Sequence, residues 1–137
     1  MKNNSREIIL SKEQGIAEAK RYLQNAKQTL RKVPIRYGLY TDAKYVREAS
    51  GTAYLAALKA IDSYLIGQGW MNDELPKSIE GYWKAKEKIP HNGKFTAHLT
   101  RAYQLLHRNG YYEGTTDSGM IKSGISSVEE IIKMLGN

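Results

Sequence analysis

Residues 42–70, DAKYVREASGTAYLAALKAIDSYLIGQGW, hold the longest uninterrupted helical pattern in the chain. Small or apolar side chains stand at Val46, Ala49, Ala53, Ala56, Ala57, Ala60, Ile61, Tyr64 and Leu65. Gaps of three and four place them on one helical face, and no strand period fits them. Tyr54 and Leu58 widen that face, so the helix is expected to be covered on more than one side. Its alanines let neighbouring helices approach closely. Asp42 is placed to cap the amino end by accepting a backbone N–H, and Gly67 and Gly69 to stop the helix. The stripe is packing surface, and on sequence alone this helix carries no chemistry of its own.

The flanking segments repeat the helical period. Residues 1–10 read as a short flexible lead, and 11–137 as a single helical-bundle domain. Ser11 to Gln14 matches a capping box, which predicts a first helix from Ser11 to Lys32 with Ile16, Ala19, Leu23, Ala26, Leu30 and Val33 inward. Pro34 ends it. The connector VPIRYGLYT, residues 33–41, carries Tyr37 and Tyr40, expected to pack as a lid over the core. Trp70 and Met71 are expected to tuck against the bundle. A short third helix is predicted from Pro76 to Lys88, with Pro76 in its first turn. A fourth runs from Lys94 to Asn109, with Phe95, Leu99, Ala102, Tyr103 and Leu106 inward and Gly110 as a left-handed cap. A fifth, capped by Asp117 or Ser118, turns Ile121, Ile125, Val128, Ile132 and Leu135 inward. Gly119 and Gly124 weaken its first turns; either close approach to a neighbouring helix at Gly124 offsets this, or the helix starts late, near Ser126. No period of two is sustained, so no sheet is expected. The fold class is an all-α, up-and-down bundle of four to five helices.

Composition narrows the chemistry. The 137 residues include no cysteine, which excludes disulfides, thiolate catalysis and cysteine-ligated metal. No apolar run approaches the roughly 18 residues of a membrane helix, and the opening MKNNSREIIL lacks a signal-peptide pattern. A cytoplasmic protein without membrane contact is the expectation. The net charge of +7 favours polyanionic partners, although the basic residues are dispersed. His91, His98 and His107 lack metal-ligand spacing, and phosphate-loop signatures are absent, so neither metal nor cofactor is expected.

The most informative polar pattern lies on the fourth helix. His98, Arg101, Leu105 and Arg108 recur at gaps of three and four and form a mostly cationic flank. Arg101 and His107 are a pair that could cleave RNA without metal, the imidazole moving a proton and the cation stabilising phosphorane charge. Six residues of a regular helix rotate by about 240°, so these two side chains converge only if the helix distorts or a second subunit contributes one. His98 and Arg101, three apart, converge better.

Several strings resemble the HEPN superfamily of small helical domains: AKRYLQNA at residues 19–26, TAYLAALKAI at 52–61, HRNGYYE at 107–113 and the closing IIKML at 131–135. The resemblance implies an up-and-down bundle, often dimeric, hence a homodimer here. Some members are metal-independent RNases of toxin–antitoxin and defence systems with an R-x(4–6)-H motif, which Arg101 and His107 satisfy. Ala102 stands where the motif commonly has a polar residue. The first functional reading is therefore a non-catalytic, HEPN-like binding domain. It would contact a protein, RNA or nucleotide partner through His98, Arg101 and Arg108 and the connector Tyr111, Tyr112 and Glu113. The alternative is a HEPN-type RNase using Arg101 and His107, with Arg108 binding phosphate.

Overall fold

Ser11 starts the first helix as expected, accepting the Gln14 backbone N–H at 3.1 Å, and α1 runs Lys12–Arg31. The return arm of the capping box reaches one residue further back, where Gln14 Oε1 accepts the Leu10 N–H. The computed structural model describes residues 8–137. The long central helix, α2, spans Ala43–Gly67 behind the Asp42 cap. Its stripe is buried throughout, Tyr64 only partly. A short α3, Ile79–Lys84, runs into a 3-10 turn at Ala85–Lys88. Then α4, Asn92–Ala102, continues without a break into a π-helical segment, Tyr103–Tyr112. The last helix, α5, spans Ser118–Gly136, and Asp117 caps it by accepting the Met120 N–H at 3.0 Å.

The side chains that meet fix the helix directions. Gly15 near the start of α1 lies against Ser63 near the end of α2, and Gly67 against Lys12, so these helices are antiparallel. Gly136 of α5 abuts Ile16 and Glu129 pairs with Lys27, so α5 also opposes α1. Gly110 meets Ser50, and Leu106 meets Gly124, which sets the 92–112 helix antiparallel to both α2 and α5. The result is the up-and-down all-α bundle that the periodicity predicts. Its centre is built from small residues: Ala53, Ala56, Ala57 and Ala60 of α2 are wholly buried. Gly124 is required by contact, because a Cβ there would lie 2.6 Å from Leu106 Cγ.

Several expectations are corrected. A two-stranded antiparallel hairpin is present, β1 (Ile35–Arg36) and β2 (Leu39–Tyr40). Tyr37 and Gly38 form its two-residue turn with φ of 54° and 78°, the left-handed pair that matches strand twist. Two residues a side are too few to display an alternation. Tyr40 is buried, but Tyr37 is fully exposed and lids nothing. Met71 is also exposed, whereas Trp70 packs on the core. The third helix starts at Ile79 behind a Ser78 cap rather than at Pro76, since the Ser78 hydroxyl accepts the Gly81 N–H. Gly110 does not cap the fourth helix; it is buried inside the π segment, and the left-handed glycine is Gly114, φ 73°. Of the lead, residues 1–7 lie outside those described, while Ile9 is buried and exchanges hydrogen bonds with the Asn72 side chain through both its N–H and its carbonyl.

Candidate functional site: an aromatic cleft on the π segment

The π segment brings rings together. Positions four apart share one face of the helix, one above the other. Tyr103, His107 and Tyr111 are such a series. Tyr103 and His107 stack at 5.4 Å between ring centroids, and His107 and Tyr111 at 6.3 Å with planes only 14° apart. Tyr112 meets His107 edge-on at 5.0 Å. From α2, Tyr54 lies 4.8 Å from His107, and from α3, Trp83 lies 5.6 Å from Tyr103. His107 thus touches four rings.

Burial sets the protonation of this cluster. It lowers the His107 pKa below the usual imidazole value, which keeps the ring neutral near pH 7. It raises that of Tyr54, with a smaller contribution from Tyr103, so the Tyr54 phenol keeps its proton. The Trp83 indole N–H and the Ser50 hydroxyl are buried without a hydrogen-bond partner among the described residues.

A cleft of about 450 Å³ opens over the cluster, between α2 and the π segment. Tyr54, His107 and Tyr111 make its aromatic wall, Leu55 and Leu58 its aliphatic one, and Glu48 supplies an acid. Leu55 is 53% exposed, Tyr111 46% and Tyr112 66%, so apolar surface faces solvent here. Gly51 lets Tyr111 lie against α2, since a Cβ would sit 3.1 Å from its Cδ1. Arg47 holds the end of the π segment by donating to the carbonyls of Tyr111 and Tyr112, at 2.9 and 3.2 Å.

The cationic flank of α4 is a different arrangement. Arg101 donates to the Ser127 hydroxyl of α5 at 3.0 Å, and His98 Nδ1 lies 3.3 Å from the same oxygen. Burial, and then the Arg101 charge, lowers the His98 pKa. His98 and Arg101 converge as expected, yet they do so on a neighbouring helix. Arg101 turns to α5 while His107 turns to α2, so the helix distortion does not unite them within one chain. Arg108 is exposed with no acidic partner among the described residues, and Glu113 is exposed after the π segment. Sequence reading thus found His107, Tyr111 and Tyr112 but missed Tyr54, Leu55, Tyr103 and Trp83 as their neighbours. The available signal was the spacing of four through Tyr103, His107 and Tyr111. The central helix, read as pure packing surface, supplies one wall of the cleft.

Among the described residues, no group of three or more histidine, aspartate or glutamate side chains is placed to hold a metal ion, and no helix is long and apolar enough to cross a membrane.

Fold and cleft together define a small all-α bundle domain with an aromatic surface site. Residues 14–137 match the model of DUF5618, a domain of unknown function, and the chain belongs to that family. A solved structure described as a protein of unknown function from Dyadobacter fermentans is similar at 33% identity, with 92% of this chain and 96% of that chain covered and a TM-score of 0.78. No curated protein matches. These findings overturn the HEPN resemblance: the family matched over nearly the whole chain is a different one, and neither comparison points to HEPN. The strings that suggested it are ones on which amphipathic helices converge.

Proposed function

We propose that the chain is a non-catalytic binding domain whose site is the aromatic cleft, and that it takes single-stranded RNA by stacking bases on Tyr111, which lines the cleft, and on the exposed Tyr112 beside it. The observation that carries this reading is the group of exposed rings braced by His107 and Tyr54 behind them. Aromatic side chains with solvent-facing surfaces accept any base, each stacked base contributing about 1–3 kcal/mol. The net charge of +7 adds attraction to phosphate, and Arg108 lies in the same segment as the rings. Glu48 is an acceptor suited to the exocyclic amine of a base. A non-catalytic role is supported by the separation of Arg101 and His107, which face different helices.

Fluorescence titration with a labelled single-stranded RNA tests the reading. Binding is expected at low salt, with a steep decline at moderate salt. Tyr111→Ala/Tyr112→Ala is expected to weaken it at least tenfold. RNA incubated with the protein in EDTA is expected to stay intact. Cleavage that disappears in Arg101→Ala/His107→Ala would replace the binding reading with an enzymatic one. No binding at either salt would leave a protein as the partner of the cleft.

A further inference from the structure

A second cleft, of about 540 Å³, opens between the carboxyl end of α1, the β1–β2 hairpin and the first half of α5. It is within the range of sites that take small organic ligands, about 300–1,000 Å³. Its floor is apolar: Leu30, Val33, Tyr40 and Ile125 all line it, and Ile35 stands exposed at its edge. Its charged lining is unbalanced. Lys27 and Glu129 pair with each other and cancel. Arg31 and Lys122 line the same cleft with no acidic partner among the described residues. Tyr40 adds no negative charge, because burial raises its pKa and keeps the phenol protonated.

Helix position gives a reason for one of these two cations and none for the other. Arg31 occupies the last turn of α1, where a cation complements the carbonyl end of the helix. Lys122 lies past the first turn of α5, where the helix end neither favours nor disfavours a cation.

We propose that this cleft binds a small amphipathic anion, its apolar body on Leu30, Val33 and Ile125 and its carboxylate or phosphate monoester head between Arg31 and Lys122. Arginine presents a planar fork of donors that matches either head group, and lysine adds a mobile point charge. The apolar floor selects against fully hydrated anions, and the uncompensated cations select against neutral or cationic molecules of the same shape. The inference is independent of the RNA-binding reading, since no residue lines both clefts.

The test is displacement of anilinonaphthalene sulfonate fluorescence from the whole chain by decanoate, decyl phosphate and decanol, each below its aggregation concentration. Both anions are expected to displace the probe at concentrations at least tenfold lower than decanol. Arg31→Gln/Lys122→Gln is expected to abolish that preference while lowering the thermal midpoint only slightly, because both side chains are on the surface and only Arg31 complements a helix end. Ile35→Glu, also on the surface, is expected to weaken both anions. Tyr111→Ala/Tyr112→Ala is expected to change none of these values; loss of displacement in that variant would assign the probe to the aromatic cleft and overturn the proposal. Equal displacement by decanoate and decanol, no displacement by any of the three, or a preference that survives the double glutamine substitution would overturn it as well. So would binding to phosphatidylglycerol vesicles without binding of the monomeric anions, which would assign the cations to a membrane surface. If decanoate displaces the probe and decyl phosphate does not, the head is a carboxylate; the reverse makes it a phosphate monoester.

Discussion

His98 and Arg101, in the first half of the helix over residues 92–112, direct their polar atoms onto the buried Ser127 of α5. His107, Tyr111 and Tyr112, in the second half, contact rings instead, and the two tyrosines leave much of their surface in solvent. One half is a closed polar joint between helices, and the other an open apolar surface. A cationic periodicity on a helix does not by itself mark a ligand site. What decides is whether the fold supplies the partners. Here α5 supplies them to the first half, while the second half faces α2 and leaves a cleft.

The comparison breaks most readily at Gly110, where the π segment touches α2. An added Cβ would collide with Ser50 Oγ and lie 2.7 Å from Ser50 Cβ and 3.0 Å from Ile121 Cδ1. Gly110→Ala is therefore expected to cost about 3 kcal/mol, as overpacking does in a tight core. Adding Ser50→Gly, which removes both obstructing atoms, should recover much of it; urea denaturation measures both. Wild-type stability in Gly110→Ala would mean that this contact does not set the spacing of the two helices.

Next in size, Arg101→Ala should lower stability by about 1 kcal/mol through its lost hydrogen bond, and leave RNA affinity little changed. A larger effect on RNA affinity than on stability would dissolve the distinction between the halves. The Tyr111→Ala/Tyr112→Ala variant should show the reverse pattern, its thermal midpoint near that of the wild type.

Acidification tests both halves at once. His98 and His107 have folded pKa values below the ordinary 6.5, so the unfolded chain binds protons first. The stability this confers is complete above about pH 6.5 and is lost as pH falls through the lower folded values. The thermal midpoint should therefore drop between pH 7 and pH 5, and His107→Phe should flatten part of that slope. An unchanged slope in that variant would assign the loss to other groups.

The smallest effect is expected from Ser50→Ala. Removing a buried hydroxyl that lacks a partner should leave stability equal or slightly raised, as read from the same denaturation curves.

Much of the bundle was legible in the sequence because burial follows helical spacing. The inward sets of α1, α2 and α5 are the residues that recur at gaps of three and four. At Gly124 the sequence left open a close neighbour or a late helix start, and the contact with Leu106 decides for the neighbour. The hairpin was not legible, because its two-residue strands cannot show a period. The π segment was missed because its residues are ordinary helix formers up to Gly110, whose function is contact with Ser50 and not termination. For the site, the aromatic residues were visible one by one. Their convergence into a cleft depends on a wall of α2 whose residues Tyr54 and Leu55 lie beside the packing stripe.

The hairpin also fastens two distant parts of the chain. Tyr40 N–H donates to the Thr116 carbonyl at 2.8 Å, and both the N–H and the hydroxyl of Ser118 donate to the Gly38 carbonyl, 80 residues away. Such a fastening closes a long loop, so in a folding chain it follows the local helices rather than leading them. Its anchors are buried as well as bonded, since both Tyr40 and Ser118 are shielded from solvent. Val33, Ile35 and Tyr40 ride on this segment and line the second cleft. One edge of that cleft is therefore tied directly to the amino end of α5.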